Sequence, residues 1–139
     1  MCIRDRVEVS LSGARRKWTS RAFGTASSPV VFKDRMYVVD RALQCVDMGT
    51  GKVLWRGGNF GHGSVVACAA DDRLIVFGNG RLAVVEAGGG KYRELSRVDR
   101  VVPDVCYPHA VLADGLIFCK DRAGNMVCLS VKGDIGRNP

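Results

Sequence analysis

Apolar residues along this chain gather in short runs, each closed off by glycine, aspartate or a basic residue, and the runs recur in a fixed order. Asp34-Arg35-Met36-Tyr37-Val38-Val39, Asp72-Arg73-Leu74-Ile75-Val76-Phe77 and Asp114-Gly115-Leu116-Ile117-Phe118-Cys119 align as three copies of one strand, 38 and then 42 positions apart. A second apolar strand follows each copy: Leu43-Gln44-Cys45-Val46-Asp47, Leu82-Ala83-Val84-Val85-Glu86 and Met126-Val127-Cys128-Leu129-Ser130. Between the two strands stand Asp40-Arg41-Ala42, Gly78-Asn79-Gly80-Arg81 and Lys120 to Asn125, hairpin-turn chemistries of three lengths. A further short apolar run precedes each hairpin, at Pro29-Val30-Val31-Phe32, Ser64-Val65-Val66-Ala67 and Ala110-Val111-Leu112. In the first two copies another strand follows, where Met48 to Trp55 corresponds to Ala87 to Leu95, with Leu95 standing for Trp55. The pattern predicts four antiparallel strands per unit of about forty residues, which is a propeller blade.

A second echo has the same period. Trp18 precedes Phe23-Gly24 by five positions, as Trp55 precedes Phe60-Gly61. Trp18 is therefore expected to close a preceding blade. The reading divides the chain into an adapter-like start with the end of a preceding blade (1–26), two blades (27–62 and 63–105) and an incomplete blade (106–139). Within the first part, Met1-Cys2-Ile3-Arg4-Asp5-Arg6 has the look of read-through from a sequencing adapter at the edge of a metagenomic contig.

Composition narrows the function classes. With 47% hydrophobic and 25% charged residues in 139 positions, the chain is that of one ordinary globular unit. No apolar run approaches the length of a membrane span, and the first residues lack the apolar core of a secretory signal. A net charge of +7 permits contact with nucleic acid, but the basic residues are scattered. The one cluster, Arg15-Arg16-Lys17, has too few aromatic neighbours for a nucleic-acid platform.

Leu43-Gln44-Cys45-Val46-Asp47-Met48-Gly49-Thr50-Gly51-Lys52-Val53-Leu54-Trp55, opened by Ser28-Pro29-Val30-Val31, resembles the PQQ-like repeats of the quinoprotein alcohol dehydrogenase-like propellers. Their mark is an apolar strand, an acidic residue, then Thr-Gly-Lys, two residues and Trp. The resemblance runs over about residues 14 to 133 and implies an all-β fold, a partial β-propeller of about three four-stranded antiparallel blades. It gives Trp18, Thr50, Gly51 and Trp55 a structural role in docking neighbouring blades. Because a closed ring needs about 4–8 blades, it also implies a C-terminal fragment, with the remaining blades of the full-length chain as partners.

Candidate chemistry is sparse. Six cysteines show no Cys-x-x-Cys spacing, so no zinc site is indicated. By repeat position Cys45 and Cys128 stand at Val84, and Cys119 stands at Val39 and Phe77, which makes them small core residues. Cys68 and Cys106 are less constrained, and a disulfide from either belongs to an oxidising compartment. Gly88-Gly89-Gly90-Lys91 lacks the helix and the following Ser or Thr of a phosphate loop and reads as a turn. Asp34, Asp72 and Asp114 recur by repeat position as turn residues.

Both histidines fall just before an opening strand, His62 ahead of Gly63-Ser64 and His109 after Cys106-Tyr107-Pro108. The resemblance places that junction at one rim, facing the central channel, so His62, Ser64, Tyr107 and His109 form the expected ligand-facing set. A hydrogen-bonded surface histidine fits the same sequence.

Three readings stay open. The leading one is a non-catalytic propeller offering its rim to a protein, peptide or carbohydrate, with no cofactor and no metal. The second is a fragment of a dehydrogenase using PQQ with calcium; the family's enzymes commonly carry adjacent cysteines, and this chain has none. The third resembles the outer-membrane assembly lipoprotein built on the same propeller. Family habit implies the periplasm or the cell exterior.

Overall fold

The computed structural model describes residues 4–20 and 27–130. All its regular elements are strands. β1 (Arg4–Ser10) and β2 (Gly13–Ser20) form a hairpin, with Arg6 opposite Trp18. Next come β3 (Val30–Phe32), β4 (Arg35–Asp47) and β5 (Val53–Gly61), hydrogen-bonded in that order as the first blade. β6 (Gly63–Cys68), β7 (Arg73–Gly78), β8 (Arg81–Glu86) and β9 (Glu94–Val98) make a four-stranded second blade. β10 (Val111–Ala113), β11 (Leu116–Lys120) and β12 (Met126–Ser130) make the third. Every pairing is antiparallel. Phe23 and Gly24 of the second echo, and the third copy beyond Ser130, lie outside the described residues.

β4 is continuous yet bent double. At about 3.3 Å per residue a straight strand of this length would separate its ends by roughly 40 Å. Instead Met48 N donates to Asp34 O at 3.2 Å, as Ala87 N donates to Asp72 O at 2.9 Å across the β7–β8 hairpin. The fold-back falls at Arg41, whose φ is +60°. The first blade therefore presents four strand arms, as the second does.

Blade faces follow the two-residue period of strands. Met36, Val38 and Val46 turn back toward Trp18, whereas Tyr37, Val39, Leu43, Cys45 and Trp55 turn forward and pack with Leu74, Val76 and Val85 of the second blade. Ile75, Phe77 and Leu82 on the other face of that blade pack with Ile117 and Cys119. Each blade is apolar on both faces, so the core consists of the layers between blades.

The register corrects two details of the repeat alignment. Cys45 faces Trp55 while Val46 faces Val53, leaving Leu54 as an extra bulge residue; Val84 faces Ser96 while Val85 faces Glu94, leaving Leu95 as its counterpart. Ser96, not Leu95, stands where Trp55 stands, because both strands carry the bulge and the turn before β9 is two residues longer than the turn before β5. In the third copy Leu116 faces Ser130, which puts Gly115, not Asp114, at the position of Asp34 and Asp72. Cys119 thus falls in line with Val38 and Val76 rather than Val39 and Phe77. The turn between β10 and β11 has two residues, as does the Lys33-Asp34 turn between β3 and β4, but Asp114 stands at its first position where Asp34 stands at the second.

Candidate functional site

Successive blades are joined at one rim by a repeated contact. Trp18 Nε1 donates to Met48 O at 2.9 Å, and the Arg6 guanidinium donates to the same oxygen. Trp55 Nε1 donates to Gly89 O at 2.8 Å, and Arg35 Nη1 donates to it at 2.8 Å. In both junctions an arginine and an indole of one blade converge on one turn carbonyl of the next. Tyr37 adds a third tie in the second case, its Oη accepting from Gly88 N at 2.8 Å. The acceptors sit two positions apart in the repeat because the turns differ: Asp47 N bonds Lys52 O, while Glu86 N bonds Arg93 O two residues further on.

Gly51 and Thr50 divide the turn's work. A Cβ on Gly51 would lie 2.6 Å from Trp18 Cδ2, and its φ is +74°, so the indole occupies space that only glycine leaves free. Thr50 closes the turn from within, its N–H and hydroxyl both donating to Asp47 Oδ1 at 2.7 and 2.8 Å. Those two bonds, with the hydroxyl's the larger effect, hold the Asp47 carboxyl below its ordinary range.

The opposite rim carries His62, Ser64, Tyr107 and His109. His62 and Tyr107 are exposed and stand face to face, ring centres 5.9 Å apart and tilted by 39°. Ser64 is 1% exposed, and its hydroxyl accepts from Ala110 N at 3.2 Å. It anchors the chain beside His109, which is itself exposed. The first pair thus comes together at the surface, while Ser64 lies beneath it.

Two residues missed by sequence reasoning fix this rim. Cys106 is fully buried: Gly80 N donates to its Sγ at 3.3 Å, and its thiol reaches Asp104 O at 3.5 Å. Burial pushes the Cys106 thiol up from its usual range. Asp121 is 1% exposed and accepts from Asn125 N, Asn125 Nδ2 and Asp104 N at 2.8, 2.8 and 3.3 Å. Burial, the largest single influence on its carboxyl, works upward, but these donors together with the Gly124 N–H outweigh it and hold the group low. Val101 N bonds Gly80 O and Arg122 N bonds Val105 O, both at 2.8 Å. The segment between β9 and β10 is therefore tied to the tips of two hairpins. A cleft of about 300 Å³ opens beside it, lined by His62, Asn79, Pro103 and Asp104 among others.

The profile of one family, outer membrane protein assembly factor BamB, matches residues 6–100. The chain belongs to this family. A crystal structure of BamB from Moraxella catarrhalis superimposes with a TM-score of 0.68 at 13% identity, covering 84% of this chain and 37% of that one. The chain thus spans well under half the length of that BamB structure, and the likeness establishes the shared PQQ-like propeller fold. No curated protein matches this chain in sequence.

No group of three or more His, Cys, Asp or Glu side chains among the described residues could hold a metal ion, and no two cysteines are adjacent in sequence. Among the described residues no helix is long and apolar enough to cross a membrane.

Proposed function

We propose that the chain is part of a non-catalytic BamB-family propeller whose rim, centred on His62 and Tyr107, docks a protein partner in the periplasm or at the cell exterior. The rim loop carries this reading. Its backbone is tied to Gly80, Asp121 and Arg122, so the two exposed rings stand on a fixed base and lose little freedom on binding. Rings of this kind supply contact area at low entropic cost, as at many protein interfaces. Family membership supports a partner in outer-membrane protein assembly.

Rescue of outer-membrane protein levels, in cells lacking their own assembly factor, tests the proposal with the full-length gene. Restored levels that fall again with Tyr107→Ala support it. A full-length protein that binds PQQ with calcium saturably and oxidises alcohols in a dye-linked assay overturns it in favour of an enzyme.

A further inference from the structure

We propose that Asn79-Gly80 is a modification site, a deamidation centre that the rim loop holds inactive and whose reaction releases that loop irreversibly. It is the one Asn-Gly pair in the chain. The pair forms the two-residue turn between β7 and β8, with φ of +52° and +67°, the conformation for which such hairpins select Asn-Gly. The fold treats its two reacting groups differently. Asn79 is exposed and borders the cleft beside His62. Gly80 is buried under the rim loop: its N–H donates to Cys106 Sγ at 3.3 Å, its carbonyl accepts from Val101 N at 2.8 Å, and a Cβ on it would lie 2.9 Å from Val102 O.

Deamidation needs that buried nitrogen. Gly80 N attacks Asn79 Cγ, an N–Cγ bond forms as the Cγ–Nδ2 bond breaks, and the amide nitrogen leaves as ammonia with the proton that Gly80 N has lost. Water, the one co-reactant, then opens the cyclic imide at either carbonyl to give aspartate or isoaspartate. While the Gly80 N–H is held by Cys106 Sγ it cannot attack, so the reaction runs through states in which the loop has lifted. Isoaspartate adds a methylene to the backbone of a two-residue turn, and either product puts a carboxylate in a cleft that Asp104 already lines. The bonds from Gly80 to Cys106 and Val101 then no longer meet, and the loop is freed. This chemistry does not depend on what docks at the rim.

Incubation of the full chain at mildly alkaline pH, folded and in urea, with peptide mass spectrometry of the Asn79-Gly80 segment, provides the test. Deamidation should be slower in the folded chain than in urea by about ten-fold or more, because only the open fraction reacts. Cys106→Ala removes the acceptor and should raise the folded rate about three- to ten-fold, the worth of one hydrogen bond. Cys106→Ser keeps an acceptor and should raise it less. Trp55→Phe, at the opposite rim, should leave the folded rate within about twofold of the parent, which separates lifting of the loop from unfolding of the whole chain. The deamidated chain should alkylate at Cys106 sooner than the parent. Comparison of the folded and urea-treated parent decides the question even if Cys106→Ala does not fold. Equal rates in the two states, a folded rate unmoved by Cys106→Ala, or a Cys106 as protected after deamidation as before, overturns the proposal.

Discussion

The indole of Trp18 lies in the space that a side chain at Gly51 would need, 2.6 Å from its ideal Cβ position, and in the same contact Trp18 donates to Met48 O. Gly51→Ala should therefore displace the indole and strain a residue at φ +74°, destabilising the chain by more than the roughly 0.4–1 kcal/mol that Gly-to-Ala shifts stability at a compatible site. A lowered Tm with red-shifted tryptophan emission is expected. Unchanged emission would contradict this packing.

Trp55 is 8% exposed and packs between Tyr37 and Tyr92, with ring centres 6.1 and 6.0 Å away. Trp55→Ala should cost about 3–5 kcal/mol. Trp55→Phe keeps a ring but leaves Gly89 O without the indole donor, so about 1 kcal/mol is expected. Denaturant unfolding of the two variants measures the division between packing and hydrogen bond.

Ser64→Ala removes the hydroxyl that accepts from Ala110 N in a buried setting. A loss of about 1–3 kcal/mol should follow. His62→Ala, at an exposed ring, should leave the unfolding free energy within about 0.5 kcal/mol of the parent while weakening partner binding. Equal destabilisation by the two substitutions would place His62 in the fold rather than on the docking surface.

Acid should act through Asp121. Its carboxyl is held low in the folded chain, so the stabilisation it gives is present above the unfolded carboxyl's pKa of about 4 and is lost as pH falls through the folded value. The Tm difference between the parent and Asp121→Asn should accordingly be largest near neutrality and shrink below about pH 4. A difference independent of pH between 7 and 3 would show that the carboxylate is not the stabilising species.

Thiol reactivity should follow burial. Burial raises the Cys45 and Cys106 thiols, and burial with the neighbouring Cys106 pushes Cys119 up to about 11. Cys68 is half-buried and Cys128 exposed. Alkylation at pH 8, mapped by peptide mass spectrometry, should modify Cys128 and Cys68 well before Cys45, Cys106 and Cys119. Early modification of Cys106 would mean that the rim loop opens in solution.

What could be read without coordinates was the repeat. Alternating apolar runs with Asp, Asn and Gly between them specify strands and hairpins locally, and recurrence at about forty residues specifies blades, because each unit must bury its faces against the next copy. The signature from Asp47 to Trp55 likewise carried the PQQ-like resemblance on its own residues. Tertiary structure decided which face each residue serves. A turn before β9 two residues longer than the turn before β5, and an Asp that opens the Asp114-Gly115 turn where Asp34 closes the Lys33-Asp34 turn, each put the sequence alignment one position out, and in a strand a one-residue shift exchanges the two faces. That shift separates Ser96 from Leu95 as the counterpart of Trp55, and it turns Cys119 back toward the second blade. The roles of Cys106 and Asp121 also emerged only in three dimensions, since their partners Gly80 and Asp104 lie 26 and 17 positions away and no local pattern brings them together.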